Sequence, residues 1–444
     1  KKNRKMRWVI TALCLALAQM GSASVIGIDF GSNYMKVALV QLKVPLEIVP
    51  NTISKRKTEI VVAFDRGERM YGSDAEGMLS RKPGMAYAHF REMLGRNEGH
   101  PSVESVSGMR YGTSPFQNDT RGGLDYRYKG DKNIMGFSAE ELTAMIFTYA
   151  REITKDFGGN SVRDCVITVP SFATSIERRS MIQAAEIAGL KVLSLIEENT
   201  ASALQLGKDN VEDNRVVLYY NMGTTSTQVM IARYSNYTTK EAGKNKTVGT
   251  FEVLSKTWDE TLGGEGFDKL IMEEMATEFM NKQSGSDVYS SHKAMGKLRA
   301  QARKTKHVLS ANTEIPVKIN SLMDDKDYST HMTRKQLNEL AKPLINRLTP
   351  PIQRALDFAN LTLSDIDAVE MLGGSQRIPI VQTKLSEFFG ESLPLGVHLN
   401  ADEAPALGAA FEAANISTMF KVNLLTTDNR VLRISHHFPF HFFI

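Results

Sequence analysis

Apolar and polar positions fall into the same pattern twice along this chain. Val25-Ile26-Gly27-Ile28-Asp29-Phe30 leads through Gly31-Ser32-Asn33-Tyr34 into the alternating run Met35 to Val40. Val216-Val217-Leu218-Tyr219-Tyr220-Asn221-Met222 leads through Gly223-Thr224-Thr225-Ser226 into Gln228 to Ala232. Each predicts a strand, a tight turn of Gly, Ser and Thr, and a second strand. Between the copies the pattern predicts a Lys/Arg-rich loop at Ser54 to Lys57, a strand at Ile60 to Phe64, and loops with a weak hairpin over 97–133. Ser138-Ala139-Glu140-Glu141 has the composition of a helix start, with the helix running to about Phe157. A buried strand, Arg163 to Val169, ends at Pro170, and a helix from Ile176 to Ala188 closes on Gly189. A short strand, Lys191 to Ile196, precedes an Ala-rich helix, Thr200 to Leu206.

After the second copy, Gly263-Gly264 opens a helix over about Phe267 to Met280, and a basic helix follows from His292 to Leu309. Asp324, Asp325 and Asp327 sit in a turn between strands. A helix from Thr333 to Ala359 is interrupted or kinked by Pro343 and Pro350-Pro351. The strand Ala368 to Leu372 then enters Gly373-Gly374-Ser375. A repeated hairpin with strands and helices after each copy predicts two related α/β lobes with a cleft between them.

The turns carry the candidate chemistry. Their backbone N–H groups and hydroxyls suit an anion, and an acidic residue entering such a turn can hold Mg²⁺ or its waters. Asp29 stands at that point in the first copy and neutral Asn221 in the second. Taken alone, the Asp29 turn is equally an ordinary hairpin. The second turn, and the third at Gly373-Gly374-Ser375-Gln376-Arg377, favour phosphate binding, because glycine admits a ligand close to the backbone. Lys306 and Ser310 share a helical face and suit a ribose or adenine edge, or simply a solvated basic helix. Glu198 either orients a metal-bound water or caps the next helix. HExxH, GxSxG, Walker A and Cys/His-cluster patterns are all missing, which removes support for protease, lipase, P-loop and zinc readings.

Composition changes the picture mainly at the start of the chain. The 444 residues are 42% hydrophobic and 23% charged, ordinary for a globular protein of two or more domains or one large bilobal unit. The net charge is +4, yet Lys1, Lys2, Arg4, Lys5 and Arg7 supply five positive charges, and the remainder is −1. No basic surface for nucleic acid is implied. Those charges, the apolar run Trp8 to Ala18 and Gly21-Ser22-Ala23-Ser24 form a secretory signal over 1–24, too short for the ~20 residues of a membrane span. Met6 is then the expected start, with cleavage near Ala23 or Ser24. Cys14 lies in the signal; Cys165 has the surroundings of a buried strand thiol. N-x-Ser/Thr sequons at Asn118, Asn236, Asn245, Asn360 and Asn415 fit a lumenal or secreted glycoprotein.

Several segments together resemble the nucleotide-binding domain of the heat-shock protein 70 superfamily. They are Gly27 to Ser32, Val166 to Phe172, Ala185 to Leu190, Leu262-Gly263-Gly264-Glu265, Leu372 to Pro379 and Asn400 to Ala404. They occur in the family's order and span about 25–420. Glu198-Asn199-Thr200-Ala201, Leu309 to Asn312, Leu322 to Asp327 and Phe420-Lys421-Val422 look like its large, glycosylated endoplasmic-reticulum members.

The resemblance implies an actin-like bilobal nucleotide-binding domain, two duplicated ribonuclease-H-like lobes around a central cleft holding ATP or ADP with Mg²⁺. The expected boundaries are lobe I at 25–211, lobe II at 212–394, a return to lobe I at 395–420 and an atypical tail at 421–444 in place of the family's substrate-binding domain. Gly31, Ser32, Asn33 and Tyr34 match the first phosphate loop; Gly223, Thr224, Thr225 and Ser226 match the second. Lys306, Ser310, Gly374, Ser375, Arg377 and Asp402 match adenosine-side contacts, and Gly264 is a further nucleotide-binding candidate. Asp29 and Glu198 match the acidic residues around the metal, acting through water. Pro170 and Arg178 match the pair that relays nucleotide state between domains.

Departures weigh as much. Asn221 replaces the second catalytic Asp, Gln228 a further Asp, and Arg91 the catalytic Lys, so Asp29, Arg91, Glu198 and Asn221 form an impaired catalytic set. Arg303 and His307 replace an acidic residue and an Arg beside the adenosine. The expectation is a chaperone of the endoplasmic-reticulum lumen that binds ATP with weak turnover. It would assist protein folding under stress, act as an exchange factor for the ordinary lumenal heat-shock 70 chaperone, and hold unfolded clients where a substrate domain exists. An active ATPase chaperone, with Arg91 and Asp29 compensating, is the alternative; a sugar kinase of the same fold is a third.

Overall fold

The computed structural model describes residues 24–42, 44–128, 136–207, 212–241, 244–283, 285–417 and 433–435. The expected signal lies outside the described residues except for Ser24, and so does the 421–444 tail except for Arg433–Ser435.

Two sheets repeat one plan. The first contains β1 (Ser24–Phe30), β2 (Tyr34–Gln41), β3 (Val44–Ile48), β4 (Asp164–Val169) and β5 (Lys191–Glu197) in the order β5-β4-β1-β2-β3. The second contains β6 (Val216–Met222), β7 (Thr227–Glu241), β8 (Lys244–Asp259), β9 (Ala368–Leu372) and β10 (Leu395–Gly396) in the order β10-β9-β6-β7-β8. In each, the central strand runs antiparallel to its hairpin partner and parallel to the strand on its other side. The duplication predicted from two hairpins thus extends over five strand positions. Arg433–Ser435 pairs parallel to β8 at the edge of the second sheet.

The hairpin registers place equivalent residues opposite each other. Asp29 faces Lys36 across β1 and β2, and Asn221 faces Gln228 across β6 and β7. Both central strands are buried along their whole length, as expected where helices cover the faces.

Helices α1 (Ala139–Gly158), α2 (Ser175–Ile187) and α3 (Glu198–Gly207) follow the first hairpin, α4 (Gly264–Lys282) and α5 (His292–Ala311) follow the second, and α6 (Ala404–Ile416) packs back on β1, β2 and β4 of the first sheet. Ser138 and Glu141 cap α1 reciprocally, and Thr174 and Glu177 cap α2 in the same way. Gly189 follows α2 with φ of +73°, the left-handed conformation glycine adopts most readily. The Ala-rich α3 and α6 pack on each other and share one apolar cluster with both sheets. Their approach is close, since a Cβ on Gly408 would stand 1.8 Å from the Ala201 carbonyl oxygen, and β1 lies equally close to α6, since a Cβ on Gly27 would stand 2.1 Å from the Ala410 nitrogen. Cys165 is buried in β4, and burial pushes its thiol up to about 12.

Two expectations change. The helix expected over 333–359 is three helices, Arg334–Leu340, Lys342–Ile345 and Pro350–Ala359. Of the two outcomes expected at Pro343 and Pro350, interruption or a kink, the chain shows interruption: both occupy first-turn positions, where the missing N–H has no helical partner to lose, so each begins a new helix. The 97–133 region holds the expected hairpin, Pro115–Asn118 with Gly123–Arg127, and also a helix, Pro101–Ser107. That helix begins with proline, and the His100 ring accepts from the Ser102 N–H. Among the described residues, no helix is long and apolar enough to cross a membrane.

Candidate functional site

The three glycine turns converge on one cleft of about 470 Å³. Gly31 N–H closes the first turn on the Tyr34 carbonyl (3.1 Å), and Gly223 N–H closes the second on Ser226 (2.9 Å). Across the cleft the two turns touch through Ser32 Oγ and Thr225 Oγ1, 2.8 Å apart. The third turn is locked to the second: Ser375 Oγ donates to the Gly223 carbonyl at 2.6 Å. Gly373 (φ +76°) follows β9, where a Cβ would stand 2.3 Å from the Met222 carbonyl oxygen. Only glycine fits that approach at that φ. The Gly264 and Glu265 N–H groups at the start of α4 donate to the Gly223 and Thr224 carbonyls at 3.0 and 2.8 Å. The cleft is therefore bounded by short, mutually braced backbone turns.

Most residues expected to contact nucleotide line this cleft: Asp29, the first phosphate turn, Arg91, Glu198, Asn221, Gly223, Thr224, Ser226, Gly264, Lys306, Ser310, Gly374, Ser375, Arg377 and Asp402. Thr225 instead turns toward Ser32 and Glu92. Lys306 lies in the wall of α5, and its ammonium donates to Asp268 Oδ2 (2.7 Å) and the Gly264 carbonyl (2.8 Å). Ser310 Oγ donates to the Lys306 carbonyl, on the shared face expected. Arg377 pairs with Asp402 at 2.9 Å. Burial opposes the Asp402 charge, but that bond and the nearby Lys57 keep its carboxyl below the ordinary value. Arg303 pairs with Glu76, and burial and Lys306 lower the His307 pKa.

At the phosphate end, all four oxygens of Asp29 and Glu198 have protein donors. Asp29 Oδ1 accepts from Thr168 Oγ1 (2.8 Å), and Oδ2 accepts from Lys36 Nζ (2.7 Å). Glu198 Oε1 accepts from Arg91 Nη2 (2.8 Å); Oε2 accepts from Gln228 Nε2 (2.9 Å) and Asn221 Nδ2 (3.1 Å). Burial raises the Glu198 pKa, Arg91 works against that, and the Asp29 charge adds to it. Burial works against the Lys36 charge, yet Asp29 holds the ammonium above its ordinary pKa. Lys36 is the residue that motif reading misses. Its signal lies in the repeat, as the one charged side chain in Met35 to Val40, facing Asp29 once the turn fixes the register.

Gln228 does what an aspartate could not. Its amide donates to Glu198 while its carbonyl oxygen accepts from the Ser171 N–H at 2.7 Å. Ser171 follows Pro170 at the end of β4. Arg178 lies nearby on α2, donating to the Ala173 carbonyl (2.9 Å) and to Glu197 (3.4 Å). One side-chain amide thus spans from the buried carboxylate to the Pro170 segment.

Behind the cleft, His89 is buried beside Tyr111 (2.9 Å) and Glu265 (3.1 Å). Burial opposes its charge, but Glu265 and then Glu92 raise its pKa above the ordinary 6.5, with Arg303 opposing. Burial opposes the Glu265 charge too, but His89 keeps that carboxyl below 4.5. A raised histidine pKa contributes stability that is complete below the unfolded-state value and lost as pH rises through the folded-state value. Melting temperature should therefore fall as pH rises above about 6.5, and His89→Gln should flatten that fall, as thermal unfolding between about pH 6 and 9 would show.

The sequon asparagines differ in exposure. Asn236 and Asn360 are exposed; Asn118 and Asn415 are half-buried, Asn415 on α6. Asn245 lies in β8.

A family model described as Hsp70 protein matches residues 25–435. Hypoxia up-regulated protein 1 of Xenopus laevis is 37% identical over 406 residues, 90% of this chain and 62% of the relative. Heat shock 70 kDa protein 17 of Arabidopsis thaliana is 38% identical over 424 residues, 94% of this chain and 48% of the relative. Hypoxia up-regulated protein 1 of Homo sapiens is 36% identical over 432 residues, 95% of this chain and 42% of the relative. The chain thus spans between 42% and 62% of the length of these three relatives.

Proposed function

The chain belongs to the Hsp70 family, and from that premise we propose that it is an ATP- or ADP-holding lobe pair of a chaperone of the endoplasmic-reticulum lumen. In this reading it hydrolyses ATP weakly. It supports protein folding under stress by promoting nucleotide exchange on the ordinary lumenal heat-shock 70 chaperone, and unfolded clients are taken up by whatever substrate domain accompanies it. The observation that carries the nucleotide part is the convergence of three braced glycine turns, with Lys306, Ser310, Arg377 and Asp402, around one cleft. Anion-binding turns contributed by both sheets suit a polyphosphate, and the opposite wall suits a nucleoside. The basic apolar leader and the sequons support the lumenal part.

The cofactors differ in how they fit. Nucleotide meets open turns. Mg²⁺ at Asp29 and Glu198 meets carboxylates whose four oxygens already accept protein hydrogen bonds, one of them from an ammonium. A metal there would have to displace or share those donors, so no step of the proposal passes through it.

The exchange role does not require turnover; it requires one shape held by bound ATP. The partner chaperone would be loaded with fluorescent ADP, and its release followed with and without this chain and ATP. Faster release in the presence of both is expected. Nucleotide at about 100 times its Kd should also stabilise the chain by ~2.7 kcal/mol in thermal unfolding. Unchanged release would overturn the exchange role, and unchanged melting the nucleotide reading.

A further inference from the structure

We propose that Lys36 is a built-in counter-cation for the nucleotide phosphates, so that nucleotide binding by this chain needs little or no divalent metal. The inference rests on the nucleotide reading of the cleft and adds how that site neutralises its ligand.

The two hairpins make the comparison internal to the molecule. Their registers put Asp29 opposite Lys36 in the first copy and Asn221 opposite Gln228 in the second. One position therefore carries an ion pair and its structural equivalent carries two neutral amides. The Lys36 ammonium stands 2.7 Å from Asp29 Oδ2, with its side chain 13% exposed, and it lines the same cleft as Gly31, Ser32 and Thr224. It stands where a cation held by Asp29 would stand. A divalent ion placed there would meet a fixed positive charge and a carboxylate whose other oxygen is held by Thr168.

The wider charge balance agrees. The cleft is lined by six lysine and arginine side chains against four carboxylates, an excess of cation before any ligand enters. Arg91 supplies a second fixed charge beside the first phosphate turn, donating to Ser32 Oγ at 2.9 Å. A polyphosphate here is met by ammonium and guanidinium groups the fold already holds. Lysine suits the role because its compact charge can serve Asp29 and a phosphate oxygen together.

The test measures the affinity of the full chain for a fluorescent ATP analogue, with excess Mg²⁺ and with EDTA. For the unsubstituted chain the two affinities should agree within about threefold, a difference worth less than 1 kcal/mol. Lys36→Met should weaken binding in EDTA by about 10- to 100-fold, the worth of one charge-assisted hydrogen bond. Mg²⁺ should restore most of that loss. Manganese titrations followed by electron paramagnetic resonance give a readout independent of affinity. The complex with ATP should hold Mn²⁺ no more tightly than free ATP does, and Lys36→Met should hold it more tightly. Binding that collapses in EDTA with the unsubstituted chain would overturn the inference and leave the nucleotide reading intact. No binding in either buffer would overturn both. The first comparison uses the unsubstituted chain, so it decides between these outcomes even where Lys36→Met fails to fold.

Discussion

ATP already bound to this chain is expected to be hydrolysed about 10²- to 10⁴-fold more slowly than by a family member that keeps its second catalytic acid, the range for loss of a positioned acid or base. The reason is the state of Glu198 as much as the absence of an aspartate at 221. A carboxylate that prepares a water for attack needs an oxygen free to accept from it. Here Oε1 is held by Arg91, and Oε2 by both Asn221 and Gln228. The amides at 221 and 228 do more than remove two negative charges: they donate to the acid that remains. Single-turnover hydrolysis of pre-bound, labelled ATP measures this directly, and a rate equal to that of ordinary members would defeat the weak-hydrolase reading. Asn221→Asp alone should recover little of the rate. The new carboxylate would face Glu198 Oε2 across the present 3.1 Å contact, and two like charges that close do not both ionise at neutral pH. Recovery should require Gln228 and Lys36 to change with it.

The division between what the chain announces and what only the fold reveals follows the range of each interaction. The two hairpins, the third turn and the capped starts of α1 and α2 are local, and residues a few positions apart specify them. Ser138 with Glu141 reads as a helix start because both halves of the capping box lie within four residues. The hairpins' equivalence is visible in the chain, but its reach to five strand positions is not, since β4, β5, β9 and β10 carry no local sign of which strand they join. The Glu198 environment is the least legible part. Its donors come from 91, 221 and 228, and Gln228 reaches on to Ser171. Residue type makes Gln228 look like a lost acid; geometry makes it a two-ended bridge. Lys306 is similar: its helical face is readable, but Asp268, which holds its ammonium, lies a helix away. The prolines at 343 and 350 read as breaks in one helix, because sequence alone does not say whether a proline interrupts a helix or begins the next.

Arg91→Ala should be among the most destabilising single substitutions in the cleft, at about 3–5 kcal/mol near neutral pH, the usual result of removing one partner from a buried ion pair. Arg91 is 8% exposed and joins Glu198 at 2.8 Å to Ser32 at 2.9 Å, with Glu92 at 3.6 Å. Without it, Glu198 stays buried with only the two amides, and burial together with the Asp29 charge raises its pKa further. That fixes the sign of the pH dependence. An acid whose folded-state pKa is raised loses stability as pH climbs from the unfolded value through the folded one. The variant should therefore approach the unsubstituted chain near about pH 4.5 and fall away as pH rises to neutrality. Adding Glu198→Gln should return much of the loss, because the stranded charge is gone, and a double-mutant cycle in denaturant unfolding would isolate the pair. Arg91→Lys should lose less, since an ammonium can keep one of the two contacts but not the fork that spans both. Equal destabilisation by Arg91→Ala at pH 4.5 and pH 7, or no return on adding Glu198→Gln, would mean that Arg91 acts through packing and not through the charge it neutralises.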